Sequence, residues 1–89
     1  MDWLEKDYYD KMRMAGIGES KARMLARLAA QLDRNTSLWN RIKNEGFSGF
    51  CRWVEIEAKD IYYAIKDALS AAWAFFTVGS KLFYREFNP

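Results

Sequence analysis

Histidine is absent from this sequence, which removes the usual general base and the commonest zinc ligand. Cysteine occurs once, at Cys51, so no intramolecular disulfide can form and a Cys/His metal site is excluded by count. Proline occurs once, at Pro89, so no helix is interrupted by an internal proline. The longest uncharged run, 68–80, has thirteen residues. A bilayer-spanning helix needs about 20. Residues 1–6 are acidic and lack the apolar stretch of a signal peptide. The apolar residues 68–78 have no basic cluster beside them, which argues against attachment to a membrane surface. These absences lead us to expect a cytoplasmic, non-enzymatic protein with no cofactor and no metal.

The chain that remains is short and rich in rings. Its 89 residues suit a single domain, and about half are apolar, enough for one small core. Four Trp, five Tyr and six Phe supply either a core of large rings or an exposed aromatic surface. The net charge of +2 is unevenly distributed. Residues 1–10 hold four acids and one lysine, a net of −3. Residues 11–43 hold eight bases and two acids, a net of +6. Residues 44–89 return to −1, with five bases and six acids. A basic segment of this kind points to an anionic partner.

Hydrophobic spacing predicts an all-α fold of four or five helices. Asp2 is placed to cap a first helix that runs to about Met14 with Leu4, Tyr8 and Met12 on one face. A second helix, about 19–33, turns Ala22, Leu25, Leu28, Ala29 and Leu32 inward and Arg23, Arg27 and Arg34 outward. Together they form a hairpin over about 3–33. Thr36 or Ser37 caps a short third helix, about 37–44, which Gly46 ends in a left-handed conformation. A long helical region, about 48–78, carries a seam of Phe50, Val54, Ala58, Ile61, Ile65, Ala68, Ala72 and Phe75. Unbroken, it would be about 46 Å long, more than a domain of this size accommodates. It must therefore bend near 67–70 or pair with a second chain as a homodimer. Trp53, Tyr62, Tyr63, Trp73 and Phe76 lie partly off the seam, which favours a crowded core or a dimer, and they are candidates for a partner surface. A tail, 79–89, follows.

Few residues suggest chemistry. Cys51 lies between Phe50 and Arg52 with no histidine partner, which fits a small buried residue rather than a nucleophile. Glu57, Asp60 and Asp67 have no diagnostic metal spacing, and the i,i+4 pair of Glu55 with Lys59 is a simpler use of acids here. The stretch 12–25 stands apart. Gly16 and Gly18 flank Ile17, with Met14 before them and Ala22 and Leu25 after. This resembles the helix-hairpin-helix motif, which reads apolar-x-Gly-apolar-Gly-x-x-x-Ala-x-x-apolar. Ala15 stands where that family most often has proline. The resemblance implies that backbone N–H groups around Gly16 and Gly18 meet a nucleic-acid phosphate and that Ile17 plugs the hairpin into the core. It also implies that Ala22 lets the helices cross closely and that Lys21 or Arg23 reaches a phosphate. Arg27, with Arg13 or Arg34, would add charge. The motif covers about 25 residues and has no second copy. A tight interhelical turn with no ligand uses the same residues.

Two functions follow as expectations. The first is a nucleic-acid-binding module that contacts the DNA or RNA phosphate backbone through Gly16, Ile17, Gly18, Lys21, Arg23 and Arg27. The second is a small helical interaction module that occludes a protein partner, such as a host complex that itself binds nucleic acid. Phage and plasmid inhibitors of host defence, anti-CRISPR proteins among them, share this size and lack of catalytic residues.

Overall fold

The computed structural model describes residues 1–74 together with Phe76 and Thr77. Among the described residues the chain is all-α, with six α-helices, one short 3-10 turn and no strand. No helix among them is long and apolar enough to cross a membrane. The chain divides into two compact units, Met1–Asn35 and the residues from Thr36 onward.

The first unit is a helical hairpin. Helix α1 (Trp3–Met14) begins where Asp2 accepts a hydrogen bond from the Glu5 N–H at 3.0 Å. This satisfies one of the four N–H groups that every helix start leaves open. Helix α2 (Glu19–Asp33) packs along α1. The predicted stripe of Leu4, Tyr8 and Met12 is buried, and so are Ala22, Leu25, Leu28, Ala29 and Leu32 facing it. Each fully buried Leu contributes about 1.5–3 kcal/mol relative to exposure. Two polar contacts tie the helices together. The buried Tyr8 ring sends its hydroxyl to Asp33, 2.7 Å away. The Arg34 guanidinium, just past the end of α2, lies 3.0 Å from the Asp2 carboxylate at the start of α1. Each charge there complements the partial charge of its own helix end.

The second unit starts at α3 (Thr36–Glu45), one residue earlier than the predicted 37–44, so Thr36 and Ser37 belong to its first turn. Gly46 alone connects it to α4 (Phe47–Glu57). Its φ of +82° is the left-handed conformation that glycine adopts without strain. The Gly46 N–H bonds to the Ile42 carbonyl at 2.9 Å, and its own carbonyl accepts from the Phe50 N–H at 3.0 Å. One residue thus ends a helix and starts another.

The long helical region is interrupted twice, once unforeseen at Ala58 and once at 66–68, where a bend near 67–70 is predicted. Ala58, with φ −143° and ψ 62°, separates α4 from α5 (Lys59–Ile65). A 3-10 turn, Lys66–Ala68, then leads into α6 (Leu69–Ala74). The length problem is solved by folding back: α4 packs against both α5 and α6. The seam residues Phe50, Val54, Ala58, Ile61, Ile65 and Ala72 are buried, and Ala68 is half-buried. Phe75 and the tail 79–89 lie outside the described residues.

This folding corrects the proposed aromatic surface. Trp53 is only 7% exposed and Phe76 only 3%, so both belong to the core. Trp73 and Tyr62 are half-buried, and Tyr63 alone of the five is exposed, at 62%. The breaks at Ala58 and 66–68 rotate the helices so that off-seam rings turn inward. Phe50 is the centre of the cluster, 5.2 Å from Trp73, 5.9 Å from Phe76 and 6.5 Å from Trp53 between ring centroids. Trp39 meets Trp73 edge-on at 6.0 Å. Pairs at these separations contribute about 0.5–1.5 kcal/mol beyond the area they bury.

Two stability predictions follow from these contacts. The Arg34 hydrogen bond to Asp2, with help from the Glu5 N–H, lowers the Asp2 pKa from 3.8 to about 2. A carboxylate with a depressed folded pKa stabilises the fold above its unfolded pKa and loses that contribution as pH falls through the folded value. Asn also caps helices well, so Asp2→Asn removes the charge and keeps the cap. Its thermal midpoint should lie below that of the unmodified chain at pH 7, and the gap should close between pH 3.8 and about 2. In α4, an added Cβ on Gly49 would collide with Cβ and the carboxylate of Glu45. Gly→Ala in a helix normally gains about 0.5–1 kcal/mol, but overpacking here costs about 1–3 kcal/mol. Urea denaturation of Gly49→Ala should therefore show a net loss of stability.

Candidate functional site

The turn between α1 and α2 is built from backbone hydrogen bonds. The Gly16 N–H bonds to the Arg13 carbonyl and the Ile17 N–H to the Met12 carbonyl, both at 3.0 Å. Gly16 has φ +90°. This pair of bonds closing on a left-handed glycine is the Schellman motif, which satisfies carbonyls at a helix end. Arg13 adds a side-chain bond from its Nη1 to the Ile17 carbonyl at 3.1 Å. The N–H groups of Gly16 and Ile17 and the carbonyl of Ile17 therefore all have partners inside the hairpin.

The unused donors begin one residue later. Gly18 is the N-cap of α2, with φ −58° and ψ 152°, and carries no side chain to cap the helix. Its carbonyl accepts the first bond of the helix, from the Ala22 N–H at 2.8 Å. The N–H groups of Gly18, Glu19, Ser20 and Lys21 are those a helix start leaves without an intrahelical partner. They lie at the positive end of the helix dipole, where anions are favoured. Gly18 is exposed, and an added Cβ there would meet nothing within 4 Å. The fold thus requires glycine at 16 and does not require it at 18.

The predicted basic residues separate into groups. Lys21 is exposed and has no ion-pair partner among the described residues. Arg23 lies on the far flank of α2, about 160° around the helix axis from Lys21. There it pairs with Glu19, Nη2 to Oε1, at 3.1 Å. Arg27 stands one turn further along the Arg23 flank, beside a shallow hollow that it lines with Met1, Glu5, Arg23 and Met24. Arg34 is held by Asp2 at the opposite end of the hairpin and does not join the turn. Its hydrogen bond to Asp2 raises its pKa, so its charge is committed there.

The apolar positions of the motif are filled unevenly. Ala22 is fully buried and Leu25 nearly so, which lets α2 lie close to α1. Ile17 is half-buried at the tip. Met14 is 88% exposed, and the inward methionine of α1 is Met12. The shift follows from the helix continuing through Met14, which leaves Met12 on the Leu4–Tyr8 face at the i+4 spacing. One member of the site was missed in the sequence. Glu19 introduces an acid between the free amides and Arg23, and the signal was its i,i+4 spacing to that arginine.

Elsewhere, burial pushes the half-buried Cys51 thiol up, away from the thiolate form a nucleophile needs. No group of three metal-ligating side chains gathers among the described residues. No family model, curated protein or solved structure matches the chain.

The two glycines of the turn should respond differently to substitution. Gly16→Ala forces a side chain into a left-handed backbone and should lower the unfolding free energy by about 1–2 kcal/mol. Gly18→Ser places a good N-cap in open space and should leave stability unchanged or raise it by about 0.3 kcal/mol. Chemical denaturation of the two variants checks both.

Proposed function

We propose that the hairpin Met1–Asn35 binds the phosphate backbone of nucleic acid in the manner of a helix-hairpin-helix element. The observation that carries this reading is Gly18: a glycine at an exposed helix start, where the fold calls for none and a capping side chain would serve better. Close approach of a phosphate to the amides that begin at Gly18 gives it a reason. The unpaired, exposed Lys21 lies beside those amides and supplies charge. Arg23 can turn from Glu19 to the phosphate, because an exposed pair of this kind is worth only about 0–1 kcal/mol. Arg27 adds a more distant charge on the same flank as Arg23.

Contacts of this type read no base sequence and depend steeply on salt. With a single turn and few cations, affinity for random duplex should fall in the non-specific range, about 10⁻⁴–10⁻⁶ M at physiological salt. The alternative, a module that occludes a protein partner, draws less support. Its proposed surface relied on rings that are buried at Trp53 and Phe76.

Fluorescence anisotropy with a random-sequence duplex tests the proposal. The logarithm of the association constant should fall linearly with the logarithm of salt concentration, by about 0.9 for each phosphate neutralised. Lys21→Gln should weaken binding and reduce that slope by about one. Gly18→Ser should weaken binding while retaining or raising stability, since it fills the approach and its hydroxyl engages an amide. Binding that is unchanged in both variants, or absent at low salt, would overturn the reading.

A further inference from the structure

The second unit holds a hollow unrelated to the turn. It lies where α3 meets α4, has a volume of about 190 Å³, and is lined by Arg41, Glu45, Gly49, Arg52, Trp53, Ile56 and Glu57. Two arginines from different helices converge there on one carboxylate. Arg41 lies 3.8 Å and Arg52 4.0 Å from Glu45. A tight charge-assisted hydrogen bond is about 2.7–2.9 Å long. Two guanidinium forks, each with five donors, therefore share one carboxylate at loose distances. Neither guanidinium has another partner among the described residues. The apolar part of the lining comes from the buried Trp53 and from Ile56, which is 68% exposed. Gly49, with no side chain, lets Glu45 lie against α4.

We propose that this hollow binds a small organic monoanion, a carboxylate carrying an apolar body. Glu45 marks where the carboxylate goes: its own side chain shows that the space between Arg41 and Arg52 accepts one. An incoming carboxylate displaces Glu45 and takes a bidentate position that the Glu45 tether does not reach. Its apolar body then covers the exposed Ile56 beside the edge of Trp53. Glu57, which also lines the hollow, disfavours a second negative charge, so monoanions are preferred over inorganic phosphate. The volume is below the usual range for drug-sized ligands and suits a molecule of the size of phenylacetate.

The proposal is tested by ¹H–¹⁵N NMR titration of the full chain with phenylacetate, using acetate and inorganic phosphate as comparison ligands. Phenylacetate should move the Gly49 amide and the Trp53 indole N–H with millimolar affinity, while acetate and phosphate act more weakly. Arg52→Gln should weaken phenylacetate binding about fivefold, and Glu45→Gln, which removes the competing charge, should strengthen it about fivefold. Ile56→Ser, at an exposed position that does not support the core, should weaken phenylacetate and leave acetate unaffected. The proposal is overturned if Gly49 and Trp53 do not respond to phenylacetate, if phosphate binds as well, or if Arg52→Gln and Ile56→Ser bind like the unmodified chain.

Discussion

With φ at +90°, Gly16 turns the chain out of α1 through a conformation that costs an ordinary L-residue about 1–2 kcal/mol. The Schellman bonds to Met12 and Arg13 then fix where α2 begins. Everything else in the first unit depends on that placement. It sets the Leu4, Tyr8 and Met12 stripe against Ala22, Leu25 and Leu28. It brings Tyr8 to Asp33 and Asp2 to Arg34 at the far end. Gly46, at φ +82°, has the corresponding role between α3 and α4, with no residue to spare on either side.

The basic segment changes its meaning once its partners are known. The net charge of +6 over residues 11–43 suggests a broad positive surface. Within it, Lys11 pairs with Asp7, Arg23 with Glu19, Arg34 with Asp2 and Arg41 with Glu45, while Arg13 caps the Ile17 carbonyl. Lys43 lies 5.6 Å from the Trp39 ring centroid. These contacts are mostly exposed and individually weak, so an anion can compete for several of them. Lys21 needs no such exchange, which makes it the cation best placed for the proposed phosphate contact.

Local rules made the first unit legible. An Asx cap at Asp2, an i,i+4 stripe and a glycine at the helix end all act within a few residues, and each is found as the spacing predicts. The second unit was less legible because its deciding interactions are distant in sequence. Ala58 is a strong helix former and its neighbours continue the seam, yet it leaves the helical conformation. Packing of α4 against α5 and α6 overrides that propensity, and no residue near 58 announces it. The same break decides which rings are covered, so Trp53 and Phe76, left open between core and partner surface by their spacing, are core in the structure. The i,i+4 spacings of Glu19 to Arg23 and of Arg41 to Glu45 were visible. The convergence of Arg52 from a second helix was not, because it depends on the turn at Gly46.

The 16–18 turn therefore separates two uses of glycine that its sequence joins. Gly16 is explained by its backbone angle alone, and its N–H serves the hairpin. Gly18 has an ordinary backbone angle and open space around it, so neither strain nor packing accounts for it. Its amide and the next three are the only donors of the turn left for a ligand. For the proposed phosphate contact, this moves the anion position from the glycine pair to the first turn of α2. Glu19 already occupies the favourable end of that helix dipole. A phosphate bound there, as proposed, would draw Arg23 away from Glu19 and lie beside that carboxylate. Binding of the proposed kind would be governed by charge competition, which is why its salt dependence would be more informative than its strength.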